Sequence, residues 1–193
     1  MTSLVLLPVA TTHDILHWRD MAQEFNPSCQ ANSVLPYLDT KPIGAAGFYL
    51  GINATFRFIR DTYGPQALRQ YWQDLGSRYF TPVSKLWSQR GLPGVADYWR
   101  EFFAAEPGAE AVVMLESDRV IVHVKRCPVI SHLRSSQRVI VPDFCEHCYW
   151  VSSAIGRSSD ISVVVKGGGG VCVQEFLRPG SGEEQNLEDI ARC

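Results

Sequence analysis

The chain has 193 residues, 46% of them apolar and 20% charged, and a formal net charge of −2. These values describe a globular chain of about one domain and give no electrostatic case for a nucleic-acid or anionic-membrane partner. No apolar run approaches the ~20 residues that span a bilayer, and Leu4 to Ala10 is too short, and lacks the basic flank, for a secretory signal. The expected address is therefore the cytoplasm, where the six cysteines are reduced thiols, metal ligands or redox groups before they are structural disulfides.

In chain order, the spacing predicts a first helix after Thr11 or Thr12, with Asp14 in its first turn and Ile15, Trp18, Met21, Ala22 and Phe25 on one face. Pro27 ends it, and Pro36 and Pro42 keep the following chain irregular. A second helix runs from about Ala45 to Tyr63, closed by Gly64, and Pro65 starts a third at its first position. That helix continues to Tyr79 with a kink or break at Pro82. The pattern then resumes through Val83, Leu86 and Trp87, and Gly91 stops it. A further helix follows Pro93, carrying Val95, Tyr98, Trp99, Phe102 and Phe103, and ends at Pro107-Gly108. The aromatic series Trp72, Tyr79, Trp87, Tyr98 and Trp99 is read as core, with part of it available to wall a pocket.

The second half changes period. Ala111 to Leu115 and Val120 to Val124 form a hairpin, and Pro142-Asp143 opens a helix that Gly156 ends. Ile161 to Val165 and Val171 to Leu177 form a second hairpin around Gly167 to Gly170. The fold class is α+β, with N-terminal helices packed on an antiparallel sheet of two hairpins and a Cys-bearing helix between the hairpins. The expected organisation is an extension over 1–42 with one helix, an α+β domain over 43–178, and a flexible tail over 179–193.

Cysteine carries the chemistry. Cys127 ends a strand, Cys145 and Cys148 sit i and i+3 in the first turns of a helix, and Cys172 begins the last strand. Cys145 and Cys148 share a helix face, and a helix N-terminus favours the thiolate. Cys127, Cys145, Cys148 and Cys172 are four ligands of the kind zinc takes, Cys-x-x-Cys being a common half-site. A catalytic or redox thiol site, and simple packing of cysteine as a small apolar residue, stand beside that reading. Cys29, in an irregular segment, and Cys193, at the end of the tail, are not assigned to the cluster.

Arg126-Cys127-Pro128, Phe144-Cys145-Glu146-His147-Cys148-Tyr149 and Gly170-Val171-Cys172-Val173-Gln174-Glu175-Phe176, with the upstream Tyr63-Gly64-Pro65-Gln66-Ala67-Leu68, resemble the L-2-amino-thiazoline-4-carboxylic acid hydrolase family. The resemblance covers roughly residues 55 to 178. The same order also resembles the 4-vinyl-reductase small-molecule-binding domain, related to the TRAPP tethering subunits. The resemblance implies a ligand pocket between helices and a sheet, in a homodimer. The chain departs from both patterns in the His147 set between its two cysteines and in the length of its glycine run.

As the hydrolase resemblance implies, the function is the opening of a small C=N-containing heterocycle by water. Cys145 or Cys148 attacks, with His147 or His132 as base, or a thiolate-held zinc activates the water. Gly168 and Gly169 offer backbone N–H groups to an anionic substrate, or form only a loose hairpin loop. The alternative is a noncatalytic small-molecule- or zinc-binding module. His123, between two valines of a strand, is read as an outward residue, and His13 and His17 as a solvated pair. Arg57, Arg60, Arg69 or Arg78 could clamp a carboxylate, without a choice among them.

Overall fold

The computed structural model describes residues 44–178, 180–181 and 184–193. The expected first helix, the His13–His17 pair and Cys29 lie outside the described residues. Helix α1 (Gly44–Tyr63) ends at Gly64, whose φ of +88° suits glycine, and Pro65 then opens α2 (Pro65–Asp74). A π-helical turn follows (Leu75–Tyr79), in which the Phe80 N–H donates to the Leu75 carbonyl at 3.2 Å. Helix α3 (Thr81–Ala105) has Pro82 in its first turn and breaks at Gly91, φ +59°.

The π turn corrects one expectation. Its extra residue shifts the helical phase, so Trp72 and Trp87 are fully buried while Tyr79 is 73% exposed. The same turn brings Gly76 against the next layer: a Cβ there would lie 2.4 Å from the Val151 carbonyl oxygen. Only glycine allows that approach.

Strands β1 (Glu110–Leu115) and β2 (Arg119–Arg126) form the first hairpin. Helix α4 (Pro128–Ser135) follows directly, a helix that the sequence pattern left as a turn. Pro128 occupies its first turn after the extended Cys127, and Ile130 and Leu133 are its buried face. Helix α5 (Glu146–Arg157) leads to β3 (Ser162–Gly168) and β4 (Val171–Leu177). After a 3-10 turn (Leu187–Asp189) comes the short β5 (Ile190–Ala191).

The sheet order is β1-β2-β4-β3-β5. The two hairpins and their β2–β4 junction are antiparallel, as expected of the α+β class. Strand β5 joins β3 in parallel, which makes the sheet mixed. Ile190 and Ala191, in the stretch expected to fray, are thus paired with the sheet. Ile190 is buried, and the Gln185 side chain bonds both the Val165 N–H and its carbonyl, at 2.6 and 3.0 Å, as a paired strand would.

Inward residues of the strands, among them Val120, Val122, Val165 and Phe176, meet Trp87 of α3 and Ile155 of α5 in one core. The Trp87 and Phe176 rings pack edge to face at 5.4 Å. Cutting either buried tryptophan to alanine removes about 3–5 kcal/mol by cavity formation and lost transfer energy. No helix among the described residues is long and apolar enough to cross a membrane.

Candidate functional site

The start of α5 is fixed by two buried carboxylates. Asp143 accepts from Arg60 Nε of α1 at 2.8 Å. Glu146 takes a two-point contact from Arg69 of α2, at 2.8 and 3.0 Å, and a third bond from Trp150 Nε1 at 3.1 Å. Burying either acid without its arginine would be costly. Arg60 and Arg69 are thereby committed to structure, while Arg57 pairs with Asp61 along α1 and Arg78, in the π turn, with Asp74 at the end of α2.

Between α4, the start of α5 and the β3–β4 turn lies a cavity of about 50 Å³. Cys127, Cys145, Cys148 and Cys172 all line it, with His147, Phe144, Val165 and the glycine turn. The chain brings them there from three places. Cys127 caps α4, and its N–H donates to the Gly170 carbonyl at 2.9 Å. Cys172 pairs with Val124 on one side and Gly167 on the other. Cys145 and Cys148 lie at the start of α5. The four thiols ring the cavity; among the described residues, no group of three or more His, Cys, Asp or Glu side chains is placed to hold one metal ion.

The glycine run is tighter than a loose loop. Gly169 (φ +60°) and Gly170 (φ +109°) form a two-residue turn with positive φ at both positions, the pattern that suits hairpin twist. Gly168 lies against β5: a Cβ there would sit 2.5 Å from the Ala191 carbonyl oxygen. The Gly169 N–H donates to Cys145 Sγ at 3.3 Å. The amide expected to face an anionic substrate thus meets a protein thiol, and Gly168 lies against a neighbouring strand. His132 does not line the cavity; its Nε2 lies 3.3 Å from Ser136 Oγ. His123 lies on the outer face of β2, as its alternation implied.

Burial governs the inner thiols. It raises Cys148 well above the ordinary thiol range, and the nearby thiols reinforce the effect. It raises Cys172 to about 11 and raises Cys127 against the opposing α4 amides. The helix N-terminus was expected to favour thiolates at Cys145 and Cys148; desolvation outweighs it at Cys148. His147 retains some exposure, but its ring packs among Phe56, Phe144 and Trp72. That desolvation lowers it to about 4. With its Nδ1 3.7 Å from Cys148 Sγ, the pair is neutral at pH 7.

Cys193 was not in the expected set and does not line the cavity, but it touches the cluster from outside through Cys145. Its N–H donates to the Pro142 carbonyl at 3.0 Å, and its sulfur lies 3.2 Å from Cys145 Sγ. Two thiols that close share one proton, so the pair loses its first proton early and its second late. The hydrogen bond from Cys145 lowers Cys193 to about 7 against the cost of burial; the Gly169 and Cys145 amides and the Arg134 charge assist. Cys145 is correspondingly raised, first by that bond and then by burial. Arg134, exposed at the end of α4, lies over the glycine turn: added Cβ atoms on Gly169 and Gly170 would meet its guanidinium at 3.4 and 3.6 Å. It is an arginine near the Cys145–Cys193 pair that no helical pattern singled out.

Gln174 is a further residue the motifs passed over. It shares the inward face of β4 with Cys172 and Phe176, is 2% exposed, and its Nε2 reaches Cys172 Sγ at 3.8 Å. Its Oε1 is buried without a hydrogen-bond partner. A glutamine at an inward position of an otherwise apolar strand was the available signal.

Comparison with family models, with curated proteins and with solved structures returned no match for this chain.

Proposed function

We propose that this domain is a thiol-dependent hydrolase that opens a small C=N-containing heterocycle of the amino-thiazoline carboxylate kind. The observation that carries the reading is the Cys145–Cys193 pair, 3.2 Å apart beside a thiol-lined cavity. It supplies a thiolate near neutral pH and a proton donor at the same point. Arg134 offers a counter-charge for a carboxylate. The cavity, about 50 Å³, is far below the ~150 Å³ of an engineered cavity that takes a benzene ring, so it must widen, or the ring must meet the pair from outside it, for the reaction to proceed.

In this reading the Cys193 thiolate adds to the ring carbon of the C=N bond. The π electrons move to nitrogen, which takes the Cys145 proton. The ring C–S bond then breaks, its electron pair leaving on the ring sulfur. Water adds to the same carbon and expels Cys193 as thiolate; its two protons return one to Cys145 and one to the departed ring sulfur, leaving a carbamoyl product with a free thiol and restoring the pair. His147 and Cys148, both neutral, shape the cavity and take no proton.

The apolar lining favours one second reading, a noncatalytic small-molecule-binding module. The test is incubation with 2-amino-thiazoline-4-carboxylate and chromatographic detection of the N-carbamoyl product, for the wild type, Cys193→Ala and Arg134→Met. Product from the wild type, lost in Cys193→Ala, supports the enzyme. Binding without product supports the module, and neither binding nor product overturns both.

A further inference from the structure

We infer that Cys145 and Cys193 form a dithiol–disulfide couple that exchanges with small carboxylate-bearing disulfides. The inference stands on the same pair as the hydrolase reading but does not depend on it. The sulfurs lie 3.2 Å apart, so a bond of about 2.05 Å needs a shift of about 1 Å. One side is rigid: Cys145 leads into α5 beside the Arg69–Glu146 contact. The other side can yield, because Cys193 follows a two-residue strand that pairs with β3 at Gly167 and Gly168 alone.

Exposure alone does not single out the pair, since the five described cysteines are all half-buried; Cys193 follows the exposed Arg192. The inner thiols have other neighbours: His147 Nδ1 for Cys148 and Gln174 Nε2 for Cys172. Arg134 at the glycine turn gives a carboxylate on the incoming disulfide a charged partner.

The exchange balances without another reactant. The Cys193 thiolate attacks one sulfur of the small disulfide, breaks its S–S bond, and releases one half as a thiolate. Cys145, on losing its proton to that leaving thiolate, attacks Cys193 sulfur and displaces the second half, which takes a proton from water. The protein pair is oxidised by two electrons and the small disulfide is reduced to two thiols.

The experiment incubates the full chain with oxidised glutathione, quenches with acid, and reads mass and peptide linkage. The expected product is an internal Cys145–Cys193 disulfide, two hydrogens lighter than the reduced chain. Cys145→Ser should stop at a glutathione adduct on Cys193, and Cys193→Ser should react at least about tenfold more slowly. An internal disulfide mapping to Cys29 or to an inner thiol would overturn the assignment. So would a wild-type adduct on Cys193 that never resolves, or no oxidation at all. Mass and linkage do not depend on turnover of the heterocycle, so a failed hydrolase assay leaves this result intact. If either variant folds poorly, linkage in the wild type still decides.

Discussion

Cys145 Sγ and Cys193 Sγ lie 3.2 Å apart across 48 residues of sequence. Each side of that contact has its own restraint. Arg60 and Arg69 hold the acids flanking Cys145. Gln185, the β3–β5 pairing and the Cys193 N–H bond to Pro142 carry the other sulfur to it. The chemistry of the site is set by how well those restraints align the two thiols.

Cys193 should therefore titrate as an acidic thiol. Its alkylation by iodoacetamide is expected to rise with pH through a half-point near 7, below the ~8.5 of a free thiol. The sign follows from thiolate being the nucleophile: reactivity levels off above the half-point and falls about tenfold per pH unit below it. In Cys145→Ala the donor is gone and the half-point should move up towards the free-thiol value. A wild-type half-point near 8.5, read by peptide mass, would refute the shared-proton pair.

Gly168→Ala should uncouple the pair without unfolding the domain. The added Cβ meets the Ala191 carbonyl oxygen, and β5 is the element with least to lose by moving. Cys193 alkylation should slow at pH 7, while far-UV circular dichroism and the α5 core stay unchanged. Unaltered Cys193 kinetics would show that β5 does not position the thiol.

Arg69→Met should destabilise the fold by about 2–4 kcal/mol, because it leaves the buried Glu146 carboxylate without its charged partner. Urea denaturation reads this directly. The double variant Arg69→Met/Glu146→Gln should recover part of the loss, since the stranded charge is removed with its partner. A change below about 0.5 kcal/mol, the size expected of an ordinary surface substitution, would contradict a structural role for the pair.

His147 should make stability fall in mild acid. Its folded-state value is lowered to about 4, against about 6.5 unfolded, so the unfolded chain binds the extra proton first. The contribution is complete above about pH 6.5, drains as pH falls, and is exhausted below about 4. Given its partial exposure, the expected size is on the order of 2 kcal/mol. Urea curves at pH 7.5 and 4.5 for the wild type and His147→Phe isolate it: the variant should lose less on acidification. Parallel losses would show that the imidazole is not desolvated.

The helices and hairpins were legible because backbone rules act locally. Gly64-Pro65, Pro82 and Gly91 mark where a helix must stop or start. The alternation of Val120, Val122 and Val124 marks an inward strand face. Helix α4 was missed because eight residues offer too little period, although Pro128 after an extended cysteine was a start signal. Tyr79 was misplaced because nothing in its spacing shows that the Leu75–Tyr79 turn carries five residues instead of four.

By itself the sequence determined the α+β class, the helix boundaries at Gly64-Pro65 and Gly91, and which residues carry thiols. It could do so because φ preferences and apolar period are properties of neighbours in the chain. The helix expected to open at Pro142-Asp143 starts at Glu146, and the strand expected to stop at Val165 runs on to Gly168. The tertiary structure decided which thiols matter. The contact of Cys193 with Cys145 depends on β5 docking beside β3, and the neutrality of His147 and Cys148 depends on the desolvation they find in the packed interior. Long-range distance and desolvation arise only when remote segments meet, and they outweigh the helix-terminus effect that the local pattern led one to expect.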